Sequence, residues 1–296
     1  MNIIITGANG FLGGKITRRI TADTDFDVIA VASSKEKVLE MCDREGVDKS
    51  RIHPILNSEF LDSETVLKDV YGAIHLAFAR RVRPAAEIAS SLRFAAGVFH
   101  KLADSHIDRI INMSSQGVYG SIESFRTEEV DPAPENHYTM AKYAAEVLFE
   151  DILKECPHHT NLRLDLVAQS QNVIKGLCKS AVNGKITLKG GKQVFSFIDA
   201  LEVPDAVLSM LQAEGEWEQV YNVGWNRRRY TLTELAKLAA DAAEKCGYKR
   251  PTIELQEADI SLWTGMDSSK FSAKTGWEPK IMLADSIVDI IENLRE

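Results

Sequence analysis

The stretch Asn2-Ile3-Ile4-Ile5-Thr6-Gly7-Ala8-Asn9-Gly10-Phe11-Leu12-Gly13-Gly14 decides how the rest of the chain is read. Ile3, Ile4 and Ile5 form a continuous β-branched run, the pattern of a short strand buried on both faces of a parallel sheet. Gly7, Gly10 and Gly13 then recur in a G-x-x-G-x-x-G spacing, and a helical pattern starts at Phe11–Leu12 and runs through Ile16 and Ile20. A strand, a glycine turn and a helix N-terminus together make an anion site. Gly7 permits the tight turn, Gly10 lets the backbone approach a pyrophosphate, and Gly13 lets helix and strand pack closely. The free N–H groups of the first helical turn then face the phosphate. A plain glycine-rich βα turn shares the spacing, but the strand before it and the helix after it favour a dinucleotide.

At 296 residues the chain is long enough for one large domain and a second lobe. With 45% hydrophobic and 26% charged residues the composition is that of an ordinary globular protein, so disorder is disfavoured. The net charge of −8 argues against nucleic acid or an anionic membrane as partner, and leaves a small-molecule ligand held by local groups. Cys42, Cys156, Cys178 and Cys246 lie far apart with no C-x-x-C pair, as expected of free thiols in a reduced cytoplasmic protein. A strand opening at residue 2 leaves no room for a signal peptide, and no apolar run reaches spanning length.

Moving outward, strands are expected at Phe26–Ala32, Arg51–Leu56, Ala73–Ala77, Arg109–Met113 and Asn161–Val167. Helices are expected at Lys35–Glu45, at Ser63–Val70 with Ser63 as N-cap, from Pro84 to about Ser105, and from about Asn136 to Lys154. This alternation predicts an α/β fold, a doubly wound parallel sheet of six or seven strands, in a dinucleotide-binding domain over residues 1–167. Residues 168–296 are expected to form a smaller substrate lobe. It would have a hairpin near Gly184–Gly191 and helices near Ala200–Glu214, Thr231–Cys246 and Leu283–Leu294.

Ligands of open α/β sheets sit beyond the carboxyl ends of the strands. There the fifth strand ends in Ser114-Ser115-Gln116-Gly117-Val118-Tyr119-Gly120. Downstream, Tyr138 and Lys142 fall four apart on one helix face. A phenol with an ordinary pKa near ~10 is a poor base at neutral pH. A nearby ammonium and an oxidised nicotinamide would favour the phenolate. Tyr138 would then exchange a proton with a substrate hydroxyl while hydride passes to or from the cofactor, with Lys142 on the nicotinamide ribose and Ser115 on the reacting oxygen. A surface helix pair has the same spacing, and the strand-end serines are what favour catalysis.

On these residues the chain resembles an extended short-chain dehydrogenase/reductase of the NAD-dependent epimerase/dehydratase family. Thr6-Gly7-Ala8-Asn9-Gly10-Phe11-Leu12-Gly13 matches T-G-x-x-G-[FY]-[IL]-G, and Ile74-His75-Leu76-Ala77 matches V-I-H-L-A. Ser115 stands three before Val118-Tyr119-Gly120, as the family's catalytic serine does, and Tyr138 and Lys142 match Y-x-x-x-K. Phe197-Ile198-Asp199, Tyr221-Asn222-Val223-Gly224 and Gly276-Trp277-Glu278-Pro279 match later segments. The resemblance implies cofactor contacts from Gly7, Asn9, Gly10, Phe11, Leu12, Gly13, Leu76, Ala77 and Lys142. It also implies that part of 194–224 returns to the first domain. Phe195 stands where many members carry an arginine that grips a nucleotide diphosphate, and the sixth strand lacks the usual following Tyr-Gly. Gln116 and Gly117 replace the acids of the dehydratases and decarboxylases, which leaves plain hydride exchange: reduction, oxidation or epimerisation.

The substrate is expected to be a secondary alcohol or ketone, on a sugar or nucleotide sugar. A carbonyl reductase of a small molecule and a non-catalytic redox regulator stay open as alternatives. Arg80, Arg81 and Arg83 follow the fourth strand, and Arg227, Arg228 and Arg229 follow Tyr-Asn-Val-Gly. Arg80, Arg227 and Gln116 are the candidate substrate contacts, although solvated charge runs would look the same. His158-His159 is expected to be a solvent-exposed pair at a helix end and not a metal site. The acids of Glu123–Glu135 are expected in a loop over the site mouth. The second strand runs into Ser33-Ser34-Lys35 with no carboxylate, which favours NADP(H) over NAD(H). A homodimer is compatible with all of this.

Overall fold

The isoleucine run forms β1 (Asn2–Thr6), and Ile3, Ile4 and Ile5 are all fully buried. Ile3 and Ile5 enter one hydrophobic cluster and Ile4 another, as successive strand side chains must. The computed structural model describes residues 1–62 and 67–294. After β1 come α1 (Phe11–Asp23), β2 (Asp27–Ala32), α2 (Lys35–Glu45), β3 (Ile52–Leu56) and α3 (Asn57–Asp62). Then follow β4 (Val70–His75), α4 (Ala85–Asp104), β5 (Arg109–Ser115), α5 (His137–Ile152) and β6 (His158–Leu164). The remainder comprises α6 (Asn172–Val182), β7 (Lys185–Lys189), β8 (Val194–Phe195), α7 (Glu202–Leu211) and β9 (Val220–Val223). It ends with β10 (Tyr230–Thr231), α8 (Leu232–Lys245), β11 (Thr252–Gln256), α9 (Ser269–Thr275) and α10 (Leu283–Glu292).

Seven parallel strands lie in the order β3-β2-β1-β4-β5-β6-β9. The direction of progression reverses between β1 and β4, so the carboxyl ends of these two strands flank the crevice where such sheets take ligands. Val38, Ile16, Ile20, Val203 and Val207 from α1, α2 and α7 cover one face. Phe60, Ala95, Val98, Phe99 and Phe149 from α3, α4 and α5 cover the other. A separate cluster of Ile174, Leu177, Leu235, Ala239, Ile287 and Ile291 joins α6, α8 and α10. Among the described residues no helix is long and apolar enough to cross a membrane.

Three expectations need correction. The helix expected at Ser63–Val70 lies partly outside the described residues; Leu67–Asp69 form a turn, Val70 opens β4, and the helix in this region is α3. Gly184–Gly191 is not a hairpin: β7 pairs in parallel with the distant β11, and the chain leaves β7 through Gly190 and Gly191, both at positive φ. His158 and His159 begin β6 instead of ending a helix, and they are half-buried, His158 against Asp108 and His159 against Glu150. Sequence reading also missed α6, although Ile174, Leu177, Cys178 and Ala181 fall on one buried helix face.

His75 ends β4 inside the sheet, and its Nδ1 lies 2.8 Å from the Thr6 hydroxyl. That hydroxyl also accepts from the Leu76 and Ala77 backbone N–H groups, so it donates to Nδ1 and the ring proton sits on Nε2. Burial holds the imidazole neutral, down to about 3 from its ordinary 6.5. The chain after β4 is thereby clamped onto the glycine turn.

Two outcomes follow. A Cβ on Gly13 would lie 2.2 Å from the Gly7 carbonyl oxygen, whereas one on Gly176 meets nothing within 4 Å. Gly13→Ala should therefore cost about 2–3 kcal/mol and Gly176→Ala should add about 0.5–1 kcal/mol, read as urea midpoints. The unfolded state binds the His75 proton below about pH 6.5 and the folded state does not, so stability rises with pH through this window. Acidification from pH 7 to pH 5 should lower stability by roughly 2 kcal/mol through His75, and His75→Asn should flatten that dependence.

Candidate active site

α1 starts at Gly10, which caps it without any side chain, so the first-turn N–H groups of Phe11, Leu12 and Gly13 have no protein cap. Gly7 holds φ at +72°, and a Cβ there would press on the backbone of Ala77 at 3.0 Å. Thr6, Gly7, Leu76 and Ala77 thus form one narrow floor beneath the helix N-terminus. The uncapped amides and the missing Cβ atoms fit a pyrophosphate and its adjoining riboses. Asn9 lies in the turn between Gly7 and Gly10, and the Phe11 ring is partly exposed beneath Lys15, whose Nζ is 5.5 Å from its centroid.

At the end of β2, Ser34 caps α2 by accepting from the Lys37 N–H, and its hydroxyl donates to Glu36 at 2.7 Å. Lys35 pairs with Glu59 at 2.8 Å, while Ser33 is exposed. Ser33, Ser34 and Lys35 lie together at this strand end, and two glutamates that strand reading did not position, Glu36 and Glu59, stand beside them.

Ser115 ends β5 and caps the short 3-10 turn Gln116–Tyr119 by accepting from the Gly117 N–H. α5 begins with a capping box between Asn136 and Thr139, which sets Tyr138 in its first turn. The Ser115 side chain lies beside the Tyr138 phenol and favours its charged form. Lys142, one turn on, is buried and donates to the Met113 carbonyl at 2.8 Å. The Phe78 ring covers the ammonium, with Nζ 4.2 Å from its centroid, and turns its edge to Tyr138. The structure therefore brings Ser115, Tyr138 and Lys142 together beside the β4 end that carries Leu76 and Ala77.

Burial pushes the Tyr138 phenol up to about 12, against the opposing pull of the Arg81 charge and the Ser115 side chain. Burial also brings the Lys142 ammonium down to about 7, partly offset by Glu146. In this state the phenol keeps its proton at neutral pH, and the cation that most affects it is Arg81, not Lys142. Gln116 is buried with its Oε1 unpartnered. The loop from Gly120 to Glu135 is tied down by the fully buried Arg126, which donates to the Gly120, Trp263 and Gly265 carbonyls. Glu128 in that loop accepts the Asn222 N–H at 2.7 Å.

Arg80 is exposed in the loop before α4, and its carbonyl accepts from the Arg83 N–H. Arg227 is exposed and pairs with Glu278 at 2.8 Å, and Arg228 pairs with Glu234. Arg229 lies over the Phe125 ring at 4.0 Å, with Trp263 beyond. Phe195 is buried against Phe197, so that position offers packing and no cation. Sequence reading missed Phe78, for which no pattern gives a signal. It also missed Glu146, which could have been found as a third polar residue at i+4 on the Tyr138–Lys142 face. Among the described residues no group of three or more His, Cys, Asp or Glu is placed to hold a metal.

The family model of the NAD dependent epimerase/dehydratase family matches residues 3–224. A low-salt glycan biosynthesis protein, Agl12, of Haloferax volcanii is 24% identical over 315 residues, covering 97% of this chain and 96% of that protein. The solved UDP-glucose 4-epimerase of Thermotoga maritima is 24% identical with a TM-score of 0.79, over 100% of this chain and 99% of that one. The UDP-glucuronic acid 4-epimerase of Bacillus cereus, solved with NAD, is 19% identical with a TM-score of 0.83 over 100% of both chains. The Rossmann-type sheet is common to all of this architecture, and the family match spans the cradle, both strand ends and the Tyr138–Lys142 helix. The chain belongs to the NAD-dependent epimerase/dehydratase family, the extended short-chain dehydrogenase/reductase enzymes.

Proposed function

We propose that this enzyme exchanges hydride and a proton with a secondary alcohol or ketone of a sugar, with a nucleotide sugar as the leading substrate class. The observation that carries the reading is the meeting of Ser115, Tyr138 and Lys142 at the end of β5, beside the glycine cradle. A bound nicotinamide supplies hydride transfer and, when oxidised, a positive charge. Ser115 orients the reacting oxygen; the Tyr138 phenol gives that oxygen a proton in the reducing direction, and the phenolate takes the proton back in the oxidising direction. Lys142 exchanges the Met113 carbonyl and the Phe78 ring for ribose hydroxyls. Gln116 Oε1, a buried acceptor without a donor, is suited to a substrate hydroxyl. With no carboxylate in this loop, epimerisation or reduction fits better than elimination. The named sugar nucleotides of the similar structures support the substrate class, and the phenylalanine at 195 requires that a diphosphate be gripped by other groups, with Arg80 and Arg227 as candidates. In this reading residues 1–167 hold the cofactor and 168–296 select the substrate, in the cytoplasm.

The cofactor preference proposed is NADP(H), through Ser33, Ser34 and Lys35. The Lys35–Glu59 pair is exposed and screened by solvent, so a 2′-phosphate can displace it. Glu36 and Glu59 hold the preference to a modest ratio.

Tyr138→Phe should leave dinucleotide affinity within about twofold and lower kcat by roughly a hundredfold or more on a panel of UDP- and dTDP-hexoses. A variant with full kcat overturns the role of Tyr138, and a parent protein that turns over none of the hexoses but reduces small ketones makes it a carbonyl reductase of a small molecule instead. NADPH should bind more tightly than NADH, and Lys35→Ala should remove about tenfold of NADPH affinity alone. Tighter NADH binding by the parent protein reverses the preference.

A further inference from the structure

The face of α5 that carries Tyr138 and Lys142 continues one turn further to Glu146. Its side chain is 3% exposed and takes Arg163 in a bidentate pair, Nη2 at 2.7 Å and Nε at 3.1 and 3.2 Å. The Ser114 hydroxyl donates to the same carboxylate. Three elements meet at this one group: α5, the end of β5 and the end of β6. A buried ion pair is a weak device for stability, because desolvating both ions offsets most of their attraction. A pair of apolar residues would hold these elements as well. What an apolar pair would not provide is a negative charge one helical turn from a buried ammonium.

The surroundings of Lys142 otherwise disfavour its charge. Among the described residues the Met113 carbonyl on β5 is its one hydrogen-bond acceptor, and the neutral imidazole of His75 on β4 and the Phe78 ring add no charge. Tyr138 on the same helix is a neutral phenol, with Arg81 facing it from the loop after β4. On β6, the Arg163 guanidinium rests over the Tyr119 ring, 4.6 Å from its centroid, and of the two charges in the pair the carboxylate is the one that favours the Lys142 ammonium. We propose that Glu146 is a positioning residue for the reaction: it keeps the Lys142 ammonium charged where burial would strip its proton, and through Ser114 it fixes the neighbouring Ser115 against α5. Arg163 serves to orient the carboxylate. The proposal rests on the reading of Tyr138 and Lys142 as the reacting pair, but its test requires neither substrate nor cofactor.

The Lys142 titration can be followed directly by NMR of protein labelled at the lysine ε-carbon, the signal being assigned by its loss in Lys142→Arg. In Glu146→Gln the midpoint should fall by about one pH unit or more, because the carboxylate is gone and the guanidinium is left unpaired. In Arg163→Met it should rise by about half a unit or more, since the carboxylate then acts alone. A purely structural role predicts midpoints that move together or stay within about 0.3 unit of the parent. Either of those results overturns the proposal. If a single variant does not fold, the double variant Glu146→Gln/Arg163→Met, which buries no unpaired charge, must still titrate below the parent protein. A midpoint at or above the parent's contradicts the assignment.

Discussion

A lysine ammonium buried at the junction of α5 and β5 is the constraint on which the site depends. Lys142 is 5% exposed and satisfied by one carbonyl and one aromatic face, which is far less than water provides. Such a group is held only because α5 is pinned on both sides, by its capping box at Asn136 and Thr139 and by the Glu146 pairing to β5 and β6. The position of Tyr138 follows from that of Lys142. It lies one turn toward the helix N-terminus, where Ser115 and Phe78 meet it. Burial acts on the two groups in opposite senses, raising the phenol and lowering the ammonium, so it favours the neutral form of each, and at Lys142 the Glu146 carboxylate opposes it.

The sheet brings the other half of the site to the same place. Thr6 and His75, on adjacent strands, share a hydrogen bond that draws Leu76 and Ala77 over Gly7. Gly13 then passes the Gly7 and Ala8 carbonyls at distances no Cβ would allow. The phosphate cradle and the β4 end are therefore one rigid floor. The Phe78 ring, three residues beyond His75, is what links that floor to Lys142 and Tyr138 across the crevice.

Much of this was legible in the sequence because it is local. The isoleucine run, the glycine spacing and the four-residue interval of Tyr138 and Lys142 are short-range patterns with a direct physical meaning, and each lies where it was expected. What was not legible depends on partners far apart in the chain. Nothing near Gly184–Gly191 announces that β7 will pair with β11 more than sixty residues later, so a hairpin was the natural local reading. The histidines at 158–159 could not be placed without the acids at 108 and 150. Lys35 reads as a free cation from strand β2 alone, and only the packing of α3 brings Glu59 to it. Glu146 is the instructive case. Its spacing was visible, but its meaning depends on Arg163 and Ser114 arriving from two other strands.

The most direct test of the account is a crystal structure of the complex with oxidised NADP. The account predicts the pyrophosphate on the N–H groups that follow Gly10. It also predicts the Lys142 ammonium moved from the Met113 carbonyl onto the nicotinamide ribose, and the nicotinamide ring beside Tyr138 and Ser115. A bound dinucleotide whose nicotinamide lies away from Tyr138, with Lys142 still on Met113 beneath Phe78, would contradict it.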